Sequence, residues 1–248
     1  MPHCRGIAIL TYHSLDDSGA VLSTPPHVFA AQMRILHERG IRVVPLSEVR
    51  HILGSTALRE PLVALTFDDG FRNAYEYGLP VLQRYGFTAT VFLVTDYCAA
   101  TNSWPSQPPS VERRPLLRWA EVREMSTAGV AFGSHTRTHP DLRMLARQQV
   151  KEELVGSQRA IEDATGRAVE AFAYPYGAYN HTVKHLAQTH FALACSTTLS
   201  LVRPGSDLFA LERLDMYYLR RLTLFRRLFS REMDAYLLLR RKLRDLRR

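Results

Sequence analysis

The chain has 248 residues, 46% of them hydrophobic and 23% charged, with a formal charge of +8. This composition excludes a disordered, collagen-like or disulfide-stapled protein, and the length suits one large α/β domain or two small ones. No window reaches the ~20 apolar residues of a membrane span, and the first apolar run, Ile7 to Leu10, is too short for a secretory leader.

In chain order, Gly6 to His13 reads as a strand ending at a histidine, followed by a turn at Asp16 to Gly19. Apolar positions at Val28, Phe29, Met33 and Leu36 predict a helix from His27 to Arg39, stopped by Gly40. Ile41 to Leu46 reads as a second strand, and Ser47 as the N-cap of a helix through Leu53. Leu62 to Phe67 is a third strand, an apolar run that stops at Asp68-Asp69-Gly70. A helix from Asn73 to Tyr85 and a strand from Phe87 to Val94 follow. Residues 99–117, with Pro105, Pro108, Pro109 and Pro115, read as a long loop, a lid or a substrate-contact segment. Helices are expected from Trp119 to Ala128, from Ala146 to Thr165 and near Thr182 to Thr189. Further strands are expected before His135 and at Val169–Tyr174, Phe191–Ser196 and Leu211–Met216. Strands alternating with helices imply a mostly parallel sheet or barrel.

The charge is uneven. Residues 219–248 hold eleven Arg or Lys and three acids, an excess equal to the whole formal charge. From Leu219 on, Leu222, Phe225, Phe229, Met233, Tyr236 or Leu237, and Leu243 fall on one stripe, with arginines opposite. Such a tail suits an anionic membrane surface or an acidic polymer, or packs its stripe on the domain with its arginines solvated. Domain boundaries of 1–218 and 219–248 follow. Cys4, Cys98 and Cys195 are odd in number and form no Cys-x-x-Cys pair, so they read as free, mostly buried thiols in a reducing compartment.

Two segments carry chemistry. The strand end at Asp68-Asp69 places two acids side by side, which is costly unless a cation sits with them. Taken alone it reads as a solvated Asp-Asp-Gly turn, and the second segment is what shifts the reading. The second segment, Gly133-Ser134-His135-Thr136-Arg137-Thr138-His139-Pro140, also follows an apolar run, and one turn of helical backbone would aim both histidines at one point. One carboxylate with two neutral imidazoles suits a catalytic divalent metal, zinc first, and frees the other carboxylate as a base. His181 and His185 are also four apart, but no strand-end carboxylate accompanies them, and they read as a solvated helix face.

Thr66-Phe67-Asp68-Asp69-Gly70, then His135 to Leu142 (HTRTHPDL), then Phe172-Ala173-Tyr174-Pro175-Tyr176-Gly177, resemble in content and order the polysaccharide deacetylases of carbohydrate esterase family four, over roughly residues 5–216. The resemblance implies a distorted (β/α) barrel of about seven parallel strands, here with a basic amphipathic C-terminal helix, and a divalent metal, Zn2+ or alternatively Co2+ or Ni2+. It implies Asp69, His135 and His139 as metal ligands, Asp68 as general base, and the backbone N–H of Tyr176, held by Pro175 and Gly177, as an oxyanion donor. The family's late Leu-x-His motif is absent. A permuted exopolysaccharide deacetylase subgroup carries Tyr-His at the first strand, which Tyr12-His13 resembles, so His13 is the candidate acid, or else it merely caps its strand. The usual arginine before Pro-Tyr is also absent, with Ala171 and Ala173 in that neighbourhood. Arg213 is its candidate replacement as partner of the catalytic Asp, or else a solvated charge.

The expected reaction is removal of N-acetyl groups from N-acetylhexosamine units of a polysaccharide or lipid-linked saccharide. The alternatives are hydrolysis of a small linear or cyclic amide, and a non-catalytic saccharide-binding or membrane-associated protein. Peripheral membrane contact through the tail, no nucleic-acid partner, and a place in the cytoplasm or on the cytoplasmic membrane face complete the expectations.

Overall fold

The computed structural model describes residues 6–54, 58 and 60–245. The elements are β1 (Ile7–Tyr12), β2 (Ser14–Leu15), β3 (Ser23–Thr24), α1 (Pro26–Glu38), β4 (Arg42–Val43), α2 (Glu48–Gly54) and β5 (Leu62–Phe67). Then come α3 (Leu79–Tyr85), β6 (Thr90–Leu93), α4 (Trp119–Thr127), β7 (Ala131–Ser134), α5 (Arg147–Thr165) and β8 (Ala171–Ala173). The chain continues through α6 (His181–His190), β9 (Leu193–Leu199), β10 (Leu211–Asp215), α7 (Leu222–Phe225) and α8 (Arg231–Asp245).

Seven parallel strands close a barrel in the order β1-β10-β9-β8-β7-β6-β5, and β5 returns to β1 from Leu62 opposite Ile7 to Phe67 opposite Tyr12. This is the expected distorted (β/α) barrel with flanking helices. The distortion is visible at β7 and β8, joined in register at Ser134 and Phe172, and at β9 and β10, whose register shifts between Leu211 and Arg213.

Side-chain alternation along the strands divides the core. Ile7, Ile9, Leu62, Ala64, Phe92, Ala171, Ala173, Leu193, Cys195 and Leu211 form one cluster inside the barrel. Ala8, Leu10, Tyr12, Val63, Leu65 and Phe67 belong to the larger cluster under the helices. Small residues surround Phe92 because its ring fills the interior. A Cβ on Gly133 would lie 2.5 Å from Phe92 Cε1 and 2.9 Å from the Ala171 carbonyl, so no larger residue fits there. The inward rows change character towards the carboxyl ends of the strands. Ile7 and Ile9 lead to Thr11 and His13; Leu62 and Ala64 lead to Thr66 and Asp68; Leu211 leads to Arg213 and Asp215. The polar end is the carboxyl face, where barrels of this kind bind ligands.

Three expectations need correction. The second strand shrinks to Arg42–Val43, because it pairs with β5 only at Leu62 and Val63 before β6 takes the same edge from Thr66 on. The helix expected from Asn73 to Tyr85 opens as a wide turn, Ala74–Gly78, before α3. Pro80 has no N–H to continue a regular ladder there. The tail is two helices rather than one, broken at Phe229, whose φ is +70°.

Of the tail's stripe, Phe225, Phe229, Met233 and Leu237 are buried in the outer core, while Leu243 is exposed. The tail is therefore packed on the barrel, and the Gln32 side chain further ties Tyr12 to the Leu219 carbonyl. Arg247 and Arg248 lie outside the described residues, as does Cys4. Cys195 is buried inside the barrel and Cys98 is partly buried, both free, and burial pushes each thiol up to about 12. Among the described residues no helix is long and apolar enough to cross a membrane.

Candidate metal and catalytic centre

At the carboxyl face, β5 delivers Asp68 and Asp69, both buried. A strand would send these neighbours to opposite faces. Asp69 instead takes a left-handed backbone, φ +69°, so the chain turns at the second acid and both carboxyls line the same cleft. From the end of β7, His135 and His139 arrive on the other side. They are not carried on a turn of helix, as their spacing suggested. Residues 135–140 are irregular, with left-handed backbone at Thr136 (φ +71°) and His139 (φ +56°). Glu153 of α5 holds this segment by accepting from the Arg137 and Thr138 N–H groups at 2.7 and 2.9 Å and from the Thr138 hydroxyl at 2.7 Å. The Thr136 hydroxyl oxygen accepts the His139 N–H at 2.9 Å.

The result is a convergent donor set. His135 Nε2 lies 3.5 Å and His139 Nε2 3.6 Å from Asp69 Oδ1, and the three ligand atoms fall within 4.8 Å of one another. The far side of each ring is occupied. His135 Nδ1–H donates to the Ala173 carbonyl at 2.7 Å, and His139 Nδ1–H donates to the Tyr176 hydroxyl at 3.1 Å. That tautomer leaves both Nε2 lone pairs facing Asp69. Burial, then the neighbouring His135, holds the His139 imidazole well below its ordinary range, and therefore neutral. Burial and the Asp68 charge raise the Asp69 carboxyl against the pull of His13 and His135. A buried acid raised in this way, facing the Nε2 atoms of two buried imidazoles, is a site that a divalent cation fits and stabilises.

Asp68 has a different partner. Arg213 of β10 forms a bidentate pair with it, both N···O distances 2.7 Å, and its Nε–H donates to the Ser196 carbonyl at 2.9 Å. Burial alone would raise the Asp68 carboxyl; the guanidinium overcomes this and holds it well below the usual carboxylate range. His13 Nε2 stands 3.9 Å from Asp68 Oδ2. The structure therefore brings Asp68, Asp69, His13, His135, His139, Arg213 and Tyr176 around one cleft.

Tyr176 is itself left-handed, φ +60°, between Pro175 and Gly177. Gly177 is required there: its φ is +66°, and a Cβ would meet Thr197 Oγ1 at 2.2 Å. Pro175 is buried behind it, and the Gly177 N–H closes the turn on the Tyr174 carbonyl at 2.8 Å. His181 and His185 lie on α6, away from this cleft, and belong to no convergent ligand group among the described residues.

Sequence reasoning missed several groups. Ser106 links the Tyr176 hydroxyl, 2.8 Å from its Oγ, to the His139 carbonyl, 2.8 Å. The Trp104 ring packs on His139 with centroids 4.6 Å apart. Both come from the 99–117 loop. Asp215 shares the inward parity of Arg213, a signal that could have found it. Arg244, from the tail, also lines the cleft.

Residues 55–192 match the family model described as polysaccharide deacetylase. The Bacillus subtilis (strain 168) protein YxkH, whose own name assigns it only provisionally to the polysaccharide deacetylases, is 29% identical over 209 residues, 84% of this chain and 70% of that one. The poly-beta-1,6-N-acetyl-D-glucosamine N-deacetylase of Escherichia coli (strain K12) is 28% identical over 149 residues, 54% of this chain but 21% of that protein. Among solved structures, the Streptococcus pyogenes deacetylase PplD in complex with acetate matches with a TM-score of 0.74 and 26% identity, covering 85% of this chain and 92% of that one.

Proposed function

The chain belongs to the polysaccharide deacetylase family, and from that premise we propose that it hydrolyses N-acetyl groups on N-acetylhexosamine units of a polysaccharide or lipid-linked saccharide, with a divalent cation, zinc first, held by Asp69, His135 and His139. The likeness to the E. coli enzyme supports the sugar class. When bound, such a cation supplies Lewis acidity, lowering the pKa of a water towards ~7 and polarising the acetamide carbonyl.

The observation that carries the reading is the division of labour between two adjacent acids. Asp69 faces the imidazoles, while Asp68 is held ionised by Arg213. Asp68 is thus free to accept the proton of the attacking water. His13, at the end of β1, is the group to protonate the departing amine, which is a very poor leaving group as an anion. The Tyr176 N–H, on a backbone turned by Pro175 and Gly177, is the donor for the developing oxyanion.

The test is acetate release from chitooligosaccharide or poly-N-acetylglucosamine. Chelation should stop it, Zn2+ should restore it, and Asp68→Asn should be silent. Release that persists without metal would overturn the assignment.

A further inference from the structure

The buried stripe of α8 runs through Met233 and Leu237, and its continuation along the helix is position 244. An apolar residue would extend the packing there; the chain has Arg244. The arginines of the tail are thus not all on the outer face. Arg244 reaches over the end of β9, donates from Nη1 to the Thr197 carbonyl at 2.7 Å, and lines the same cleft as Asp68 and His139. Thr197 in turn adjoins Tyr176, whose carbonyl accepts from its hydroxyl at 3.5 Å.

The guanidinium is underused. Its Nε is buried without a hydrogen-bond partner among the described residues, and no carboxylate among them forms an ion pair with it. Gln107, from the loop that also carries Ser106, lines the cleft with a second buried N–H donor, Nε2, equally unpartnered among the described residues. Buried donors without acceptors are costly, and a half-buried cation without an anion is more so. A neutral sugar hydroxyl would satisfy the donors but not the charge. A phosphate or carboxylate satisfies both, and matches the planar fork of an arginine. The excess positive charge of the tail would also draw such a ligand towards this side of the cleft.

We propose that Arg244 is a specificity-determining residue that seats an anionic group, phosphate or carboxylate, carried by the substrate beside its acetylated amino sugar. This rests on the deacetylase reading above and deepens it. The tail then forms one wall of the substrate site.

The test uses the metal-loaded full chain and three matched acetylated saccharides: neutral, phosphate-bearing and carboxylate-bearing. The wild type should favour one charged member by about tenfold or more in KM, and that member identifies the source of the anion. Arg244→Gln should raise KM for it by about 10–100-fold with kcat within about threefold, and should erase the preference over the neutral saccharide. Arg244→Lys should restore part of the preference, keeping the charge without the fork.

Equal losses on all three saccharides, or a wild type indifferent to charge, would overturn the proposal. Calorimetric titration of the same saccharides into wild type and variants separates the two failures. If no acetate is released from any of them, the deacetylase reading falls. Charge-selective binding lost in Arg244→Gln would still sustain the anion seat, and its absence would end it. Should Arg244→Gln not fold, the wild-type preference and Arg244→Lys decide.

Discussion

Arg213→Gln gives the sharpest test of how the cleft is powered. The wild-type pair is buried and bidentate, with both contacts at 2.7 Å. Removing one member of such a pair leaves the other buried and uncompensated, which costs about 3–5 kcal/mol. The pH dependence tells more than the size. In the wild type the Asp68 carboxyl is held below its unfolded value near ~3.9, so the pair's stabilisation is complete above about pH 4 and is lost only as pH falls further, through the folded value. Without the guanidinium, burial becomes the ruling influence on Asp68, and burial raises it. The variant's folded carboxyl then lies above the unfolded one, so folding is penalised as pH climbs from about 4 to the raised value, by about 1.4 kcal/mol per unit. Urea unfolding of both proteins between pH 4 and 8, with chelator present, should show a stability gap that widens with pH and then levels. Adding Asp68→Asn to the variant should abolish that slope. A gap constant across the range would refute the claim that Arg213 acts through the charge of Asp68.

Tyr176→Phe removes the hydroxyl that accepts from His139 Nδ1–H, and should weaken zinc binding by about 10–100-fold in a competition titration while leaving the melting temperature nearly unchanged. Gly177→Ala forces a Cβ onto Thr197 in a left-handed backbone; a cost of about 2 kcal/mol should lower the melting temperature by about 4–8 °C. Phe229→Ala should cost about 3–5 kcal/mol in denaturant unfolding, because this tail residue is buried in the outer core; a cost under about 1 kcal/mol would mean that the tail does not pack there. Zinc uptake should weaken as pH falls below about 6.5, where protons compete for the imidazoles, yet burial of His139 should carry it further into acid than free imidazole allows.

The barrel was legible because its strands announce themselves as short apolar runs, and β5 was read from Leu62 to Phe67 without error. The chemistry was legible because it sits where those runs stop. Asp68, His13 and Arg213 all continue the inward alternation of their strands; Asp68 was legible as an acid at a strand end, and His13 and Arg213 only through the family resemblance. Ser106, Trp104 and Glu153 were not legible. Their roles depend on how a loop and a helix face come to lie beside His139 and its segment, which no local periodicity encodes. The tail misled for a related reason. A regular stripe predicts one helix lying on something, but Phe229 breaks it in two, and the something is the barrel itself.

The geometry of the candidate metal-site segments departs furthest from any simple periodicity, and its cause is local. Two adjacent acids cannot both face inward from a strand, and two histidines four apart cannot both reach the same carboxylate from the end of β7 along extended backbone. The chain solves both problems with left-handed residues at Asp69, Thr136 and His139, and adds a fourth at Tyr176. Each costs of order 1–3 kcal/mol in a non-glycine residue. They persist because the surroundings over-determine them: Glu153 holds Arg137 and Thr138, the Thr136 hydroxyl holds the His139 N–H, and Gly177 admits Thr197 behind Tyr176. Strain placed at four residues around one cleft, and braced by helix α5 and by the loop that carries Ser106, is what a fixed donor set requires and what a solvated turn does not.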